Sequence, residues 1–162
     1  MIEYIILNSH DATQGDKADF IRLVTEGGAV DEFYVRQGIE RPGAKMVFAK
    51  CEDKVVGVAA LKVPLRGYRN GIESEAKSGH PIPEENYPFE LGYVAVDSKS
   101  GTKGVGTSLV KEVVKLSDGL GLFATSSHFA MVKKILPRVG FRPIGNSWKN
   151  DQNETLQLFT YP

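Results

Sequence analysis

The stretch that most limits what this chain can become lies at residues 89 to 116. An apolar octet, FELGYVAV, leads through DSKSGTKGVG into TSLVKEVVKL. The octet reads as a strand. In the second part Val105, Leu109, Val113 and Leu116 recur at spacings of four and three, the stripe of an amphipathic helix. Strand, glycine-rich loop and helix in immediate succession set the fold class as α/β.

The rest of the chain supplies the partners for that unit. Residues 2 to 7 are rich in isoleucine and read as an opening strand. From Asp16, the assigned cap, Phe20, Leu23 and Val24 share a helical face, with Gly27-Gly28 as the stop. A second, shorter helix is expected over 30 to 38. MVFAKC (46 to 51) and VVGVAALKV (55 to 63) flank the polar turn EDK, the pattern of an antiparallel hairpin. Residues 64 to 88 carry prolines, glycines and charges without apolar periodicity and are expected to be one long loop. Beyond the amphipathic helix come a strand at 120 to 126, a helix over 128 to 139 despite Pro137, and two terminal strands in GFRPIG and ETLQLFTY.

At 162 residues and 41% hydrophobic, the chain is long enough for one cored domain, expected to span 1 to 162. Twenty basic and twenty acidic side chains balance to a formal charge of zero, so no overall field favours nucleic acid or an anionic membrane. Cys51 has no second cysteine to pair with and is read as core. No apolar run reaches the roughly 18 residues of a membrane span, and the N-terminus lacks the pattern of a secretion signal. The expected location is the cytoplasm. Cysteines, histidines and carboxylates show no metal-ligand spacing, so no metal site is expected.

A glycine turn between strand and helix can aim several backbone N–H groups at one point, where the helix dipole also favours negative charge. Gly101, Gly104 and Gly106 would permit close approach, and Lys103 would add a cation. The plainer alternative is a flexible turn. Two nucleotide classes drop out. No GxxxxGK followed by Ser or Thr occurs, and a dinucleotide fingerprint would need glycine where Leu109 stands and an acidic residue where ATSS stands.

FELGYVAVDSKSGTKGVGTSLVKEVV, LFATS and ILPRVGFRPIG together resemble the GNAT superfamily of acyl-CoA N-acyltransferases, whose signature is (Gln/Arg)-x-x-Gly-x-(Gly/Ala) between a strand and a helix. The resemblance implies a central mixed, mostly antiparallel sheet flanked by about four helices. It implies acetyl-CoA as co-substrate, its pyrophosphate held by backbone N–H groups of Gly101, Thr102, Lys103, Gly104, Val105, Gly106 and Thr107. The pantetheine arm would pair with the backbone of Val94, Ala95 and Val96. The chain departs from the family in three places: Gly101 stands for Gln or Arg, Leu136 for the tyrosine that often protonates the leaving thiolate, and Ser126, Ser127 and His128 for an asparagine.

Attack on a thioester requires a neutral amine, and an alkylammonium has a pKa of about 10.4, so a positioned base is useful at neutral pH. Glu90 resembles the family's base at the start of the cofactor strand; its other reading is a solvated charge at a strand end. His128 is a second candidate acid or base, or a simple helix cap, and Tyr93 a proton donor to sulfur or a packing residue. The implied activity is N-acetylation of a primary amine, on a small molecule or a peptide. Two rivals stand beside it: a non-catalytic acyl-CoA sensor, and a toxin-like acetyltransferase of aminoacyl-tRNA, which neutral charge does not favour. The family resemblance places residues 65 to 88 beside the acceptor entrance, where Arg66, Arg69, Glu73, Glu75, Lys77, Glu84 and Glu85 would read a polar acceptor. A homodimer is left open.

Overall fold

The computed structural model describes residues 1–26, 30–101 and 103–162. Its strands hydrogen-bond in the order β1-β2-β3-β4-β5-β7-β6, a mixed and mostly antiparallel sheet in which the β4–β5 step is parallel. The chain divides into two compact units, Met1–Val63 with Leu91–Leu116, and Pro64–Glu90 with Ser117–Pro162.

In the first unit β1 (Ile2–Asn8) runs antiparallel to β2 (Lys45–Cys51), and β2 antiparallel to β3 (Lys54–Lys62). The β2–β3 turn is Glu52-Asp53, both left-handed at φ 51° and 68°, the two-residue hairpin geometry that follows strand twist. The middles of β2 and β3 are buried because helices cover both faces. On one face α1 (Gln14–Glu26) and α2 (Glu32–Glu40) pack Phe20, Leu23, Val24, Val35 and Ile39 against Met46, Phe48, Val58 and Ala60. α4 (Val105–Leu116) lies on the other. It approaches β3 closely because Gly57 has no side chain: a Cβ there would stand 2.9 Å from Val105 Cγ1 and 3.0 Å from Leu109 Cδ1.

Asp16 does not cap α1. Thr13 does: its hydroxyl accepts from the Asp16 N–H (3.0 Å), and the Asp16 carboxylate accepts from the Thr13 N–H (2.9 Å), a reciprocal capping box. The assigned stop, Gly27-Gly28, lies outside the described residues. The second helix starts two residues later than expected because Asp31 caps it, accepting from the Phe33 N–H at 2.8 Å. Cys51 is half-buried rather than core, since it ends its strand beside the turn.

The second unit starts at Pro64. Residues 64 to 88 are not one long loop: they contain α3 (Arg66–Glu73), and Arg69, Ile72, Ser78 and Ile82 are buried. Ile72 and Ile82 join Phe123 and Leu158 in a cluster of their own. The start of β4 (Phe89–Val96) pairs with β5 (Leu122–Ser126) through Phe89↔Leu122 and Glu90↔Phe123. β7 (Thr155–Tyr161) runs antiparallel to β5 and to β6 (Arg142–Lys149), with a register shift between Ile144 and Trp148. The helix expected over 128 to 139 is present but not uniform. Met131–Ile135 forms a π-helical turn before α5 (Leu136–Val139), a wider winding that accommodates Pro137, which has no N–H to donate. The described residues thus hold five α-helices, one more than expected, the addition being α3.

Candidate active site

The glycine loop belongs to the first unit. β4 is an interior strand, yet Tyr93, Val94 and Ala95 are only half-buried, and Val96 is 38% exposed. Tyr93 has φ 55°, a left-handed residue in mid-strand, where non-glycine residues are rarely found outside functional or strained sites. Its ring is held by packing: edge-on to Phe20 at 6.2 Å, beneath the Lys62 ammonium at 4.4 Å, and against Gly38 of α2. Its hydroxyl donates to the Tyr34 carbonyl at 3.4 Å. Tyr93 is therefore a packing residue, occupied on the α2 side.

After Val96 the chain is tied back to β3 by the Asp97 N–H, which donates to the Val56 carbonyl at 2.8 Å. The Asp97 side chain then caps a 3-10 turn, Ser98–Ser100, through the Lys99 N–H. Gly101 and Gly104 follow with φ 69° and 78°, angles that L-residues rarely adopt, and open space surrounds the point where each side chain would project. Lys103 between them is exposed, and Thr102 lies outside the described residues. α4 then starts: the Gly104 carbonyl accepts its first helical bond, from the Ser108 N–H at 3.1 Å. By helix geometry the N–H groups of Val105, Gly106 and Thr107 have no acceptor within the helix. The Val105 side chain is buried, Gly106 and Thr107 half-buried, so Val105 offers only its backbone. Loop and β4 end thus form a surface of backbone donors, two left-handed glycines and one cation.

Glu90 belongs to the second unit and is 2% exposed, so it is not a solvated strand end. Its Oε2 accepts a hydrogen bond from the Tyr68 hydroxyl at 2.7 Å. Tyr68 stands on α3, which the sequence did not reveal. Next to it, Arg69 Nη1 donates to the Ile82 carbonyl at 3.1 Å and Nη2 to the Tyr87 carbonyl at 2.7 Å, while the guanidinium lies over the Phe123 ring at 5.1 Å. Burial lowers the Arg69 pKa from its ordinary value and Arg66 adds to this, whereas Glu84, Glu90 and Glu73 oppose it. The guanidinium stays charged.

Leu136 is fully buried and carries no group that could protonate a thiolate. His128 is exposed; its N–H donates to Ser126 Oγ at 3.1 Å and its carbonyl accepts from Val132 at 2.9 Å, a role at a helix start. A groove of about 520 Å³ in the second unit, lined by Ser127, Phe129, Val132, Pro137, Pro143 and Phe159 among others, includes neither Glu90 nor any residue of Val94–Val96 or the glycine loop. Among the described residues no cluster of His, Cys, Asp or Glu has metal-holding geometry, and no helix is long and apolar enough to cross a membrane.

No protein-family model matches the chain, and no curated protein matches its sequence. Solved structures do match it. One is an acyl-CoA N-acyltransferase from Pseudomonas aeruginosa, at 13% identity and TM-score 0.72 over 100% of both chains. Another is a GNAT family acetyltransferase from Elizabethkingia anophelis with acetyl-CoA bound, at 16% identity and TM-score 0.60 over 98% of this chain and 96% of that one. The chain has the GNAT fold. FeeM, an N-acyl amino acid synthase from uncultured soil microbes, shares that fold at 16% identity and TM-score 0.72 over 99% of this chain and 90% of its own. The GNAT fold thus accounts for the sheet order, the glycine loop's position between β4 and α4, and the parallel β4–β5 step.

Proposed function

We propose that the chain is an acyl-CoA-dependent N-acetyltransferase, a single domain of 162 residues that moves an acetyl group from acetyl-CoA to a primary amine. The observation that carries this reading is the loop at the start of α4: two left-handed glycines in open space, a lysine and a helix start whose first N–H groups have no acceptor within the helix, following a half-exposed interior strand. That surface fits a diphosphate, whose oxygens take up backbone donors and favour the positive end of a helix dipole. Gly101 to Thr107 would hold the pyrophosphate. Val94, Ala95 and Val96 would offer main-chain groups to the pantetheine amides, as a strand does to an added strand.

Acetyl-CoA supplies an activated acyl group as a thioester. The amine nitrogen attacks the carbonyl carbon, the carbon–sulfur bond breaks with its electron pair going to sulfur, and the products are an amide and a thiolate that takes a proton from water to become the free thiol. Glu90 takes the amine proton. A carboxylate removed from water and held by a donated hydrogen bond is suited to that step. No acid is needed from Leu136, since a thiol with a pKa of about 8.5 leaves readily near neutral pH.

Mass spectrometry of a primary-amine panel, small molecules and peptides, after incubation with protein and acetyl-CoA tests the reading. An N-acetyl product formed together with free thiol is expected. Binding of acetyl-CoA without any product would make the chain a sensor, and product on aminoacyl-tRNA alone would move the acceptor to nucleic acid.

A further inference from the structure

We infer that Tyr68 is the positioning residue of Glu90, a phenol carried on α3 to fix the carboxylate that receives the acceptor's proton. The inference rests on Glu90 serving as the base proposed above. Glu90 is 2% exposed and Tyr68 42% exposed, so a buried carboxylate is held by a residue that itself reaches the surface. The 2.7 Å separation is that of a short hydrogen bond to a carboxylate oxygen.

The scaffold beneath Tyr68 explains why the contact is kept. Glu90 pairs across the ladder with Phe123, so the two side chains point to one face of the sheet, and Arg69 stacks on that Phe123 ring. Arg69 also spans two carbonyls, those of Ile82 and Tyr87, and so pins α3 to the segment that returns to β4. With Arg69 and Ile72 buried, the preceding residue of α3 has little freedom to swing away.

Arg69 lies close enough to Glu90 for each charge to act on the other. Arg66 is engaged with Glu84 at 2.6 Å, and Glu73 Oε2 accepts from the Ile82 N–H at 2.7 Å. Across the ladder, Leu122 and Phe123 of β5 carry no charge. A hydroxyl donating to a carboxylate oxygen fixes the orientation of Oε2 and so of the lone pairs that would receive the proton.

The test measures kcat and KM separately at neutral pH for the wild type, Tyr68→Phe, Glu90→Gln and the double variant, with acetyl-CoA and whichever panel amines the wild type acetylates. For Tyr68→Phe, kcat should fall about tenfold while the amine KM and acetyl-CoA affinity stay unchanged. In the Glu90→Gln background the same change should cost nothing further. An unchanged kcat, a loss confined to KM, or a Tyr68→Phe loss that adds in full to that of Glu90→Gln would overturn the positioning role while leaving Glu90 as base. Wild-type rates in Glu90→Gln, or no turnover by the wild type, would overturn the general-base reading and this inference with it.

Discussion

Glu90 carries the sharpest demand on the sequence. Removing a carboxylate from water costs several kcal/mol unless hydrogen bonds and charge make up for it, and here Tyr68 and the charge of Arg69 do so. A glutamate kept at such a cost is expected to act. Glu90→Gln preserves volume and should leave acetyl-CoA affinity intact while lowering kcat by roughly 10² to 10⁴ near pH 7. The loss should shrink as pH rises, because an amine with a pKa of about 10.4 increasingly deprotonates without help. A pH-independent defect in steady-state kinetics would instead indicate damaged geometry. The residue was legible in the sequence only through its resemblance to the family's base at the start of the cofactor strand. Its hydroxyl donor was not, since nothing local links positions 68 and 90.

At the scale of elements, legibility followed apolar periodicity. β4 and α4 stand where FELGYVAV and the Val105, Leu109, Val113, Leu116 stripe put them, because each buries a regular set of side chains. α3 escaped notice for the opposite reason. In RGYRNGIE two glycines weaken helical propensity, Ile72 is the sole aliphatic residue, and the other buried side chain is an arginine. An arginine enters a core only with carbonyls to receive its N–H groups, and those carbonyls, Ile82 and Tyr87, come from a separate segment. The capping box of α1 was misread for a subtler reason: Asp16 is the reciprocal partner of Thr13, and either residue type caps helices. Arg69→Leu, which leaves two carbonyls without these donors, should destabilise the protein by about 2 to 5 kcal/mol in urea unfolding. A change under about 0.5 kcal/mol would mean that apolar packing alone holds α3 in place.

For the whole molecule, the zero net charge supplies no broad electrostatic field, so the cofactor recognition proposed above would rest on a local array of backbone donors. Three glycines mark the segment in the sequence, and two of them, Gly101 and Gly104, occupy left-handed angles. Calorimetric titration of acetyl-CoA into the wild type and Gly104→Ala tests this most directly. Alanine at φ 78° costs about 1 to 2 kcal/mol in that conformation and brings a methyl group into the space where the pyrophosphate would approach. The account predicts one-to-one binding by the wild type and at least about tenfold weaker binding by the variant. No binding by the wild type, or equal affinity in both, would contradict it.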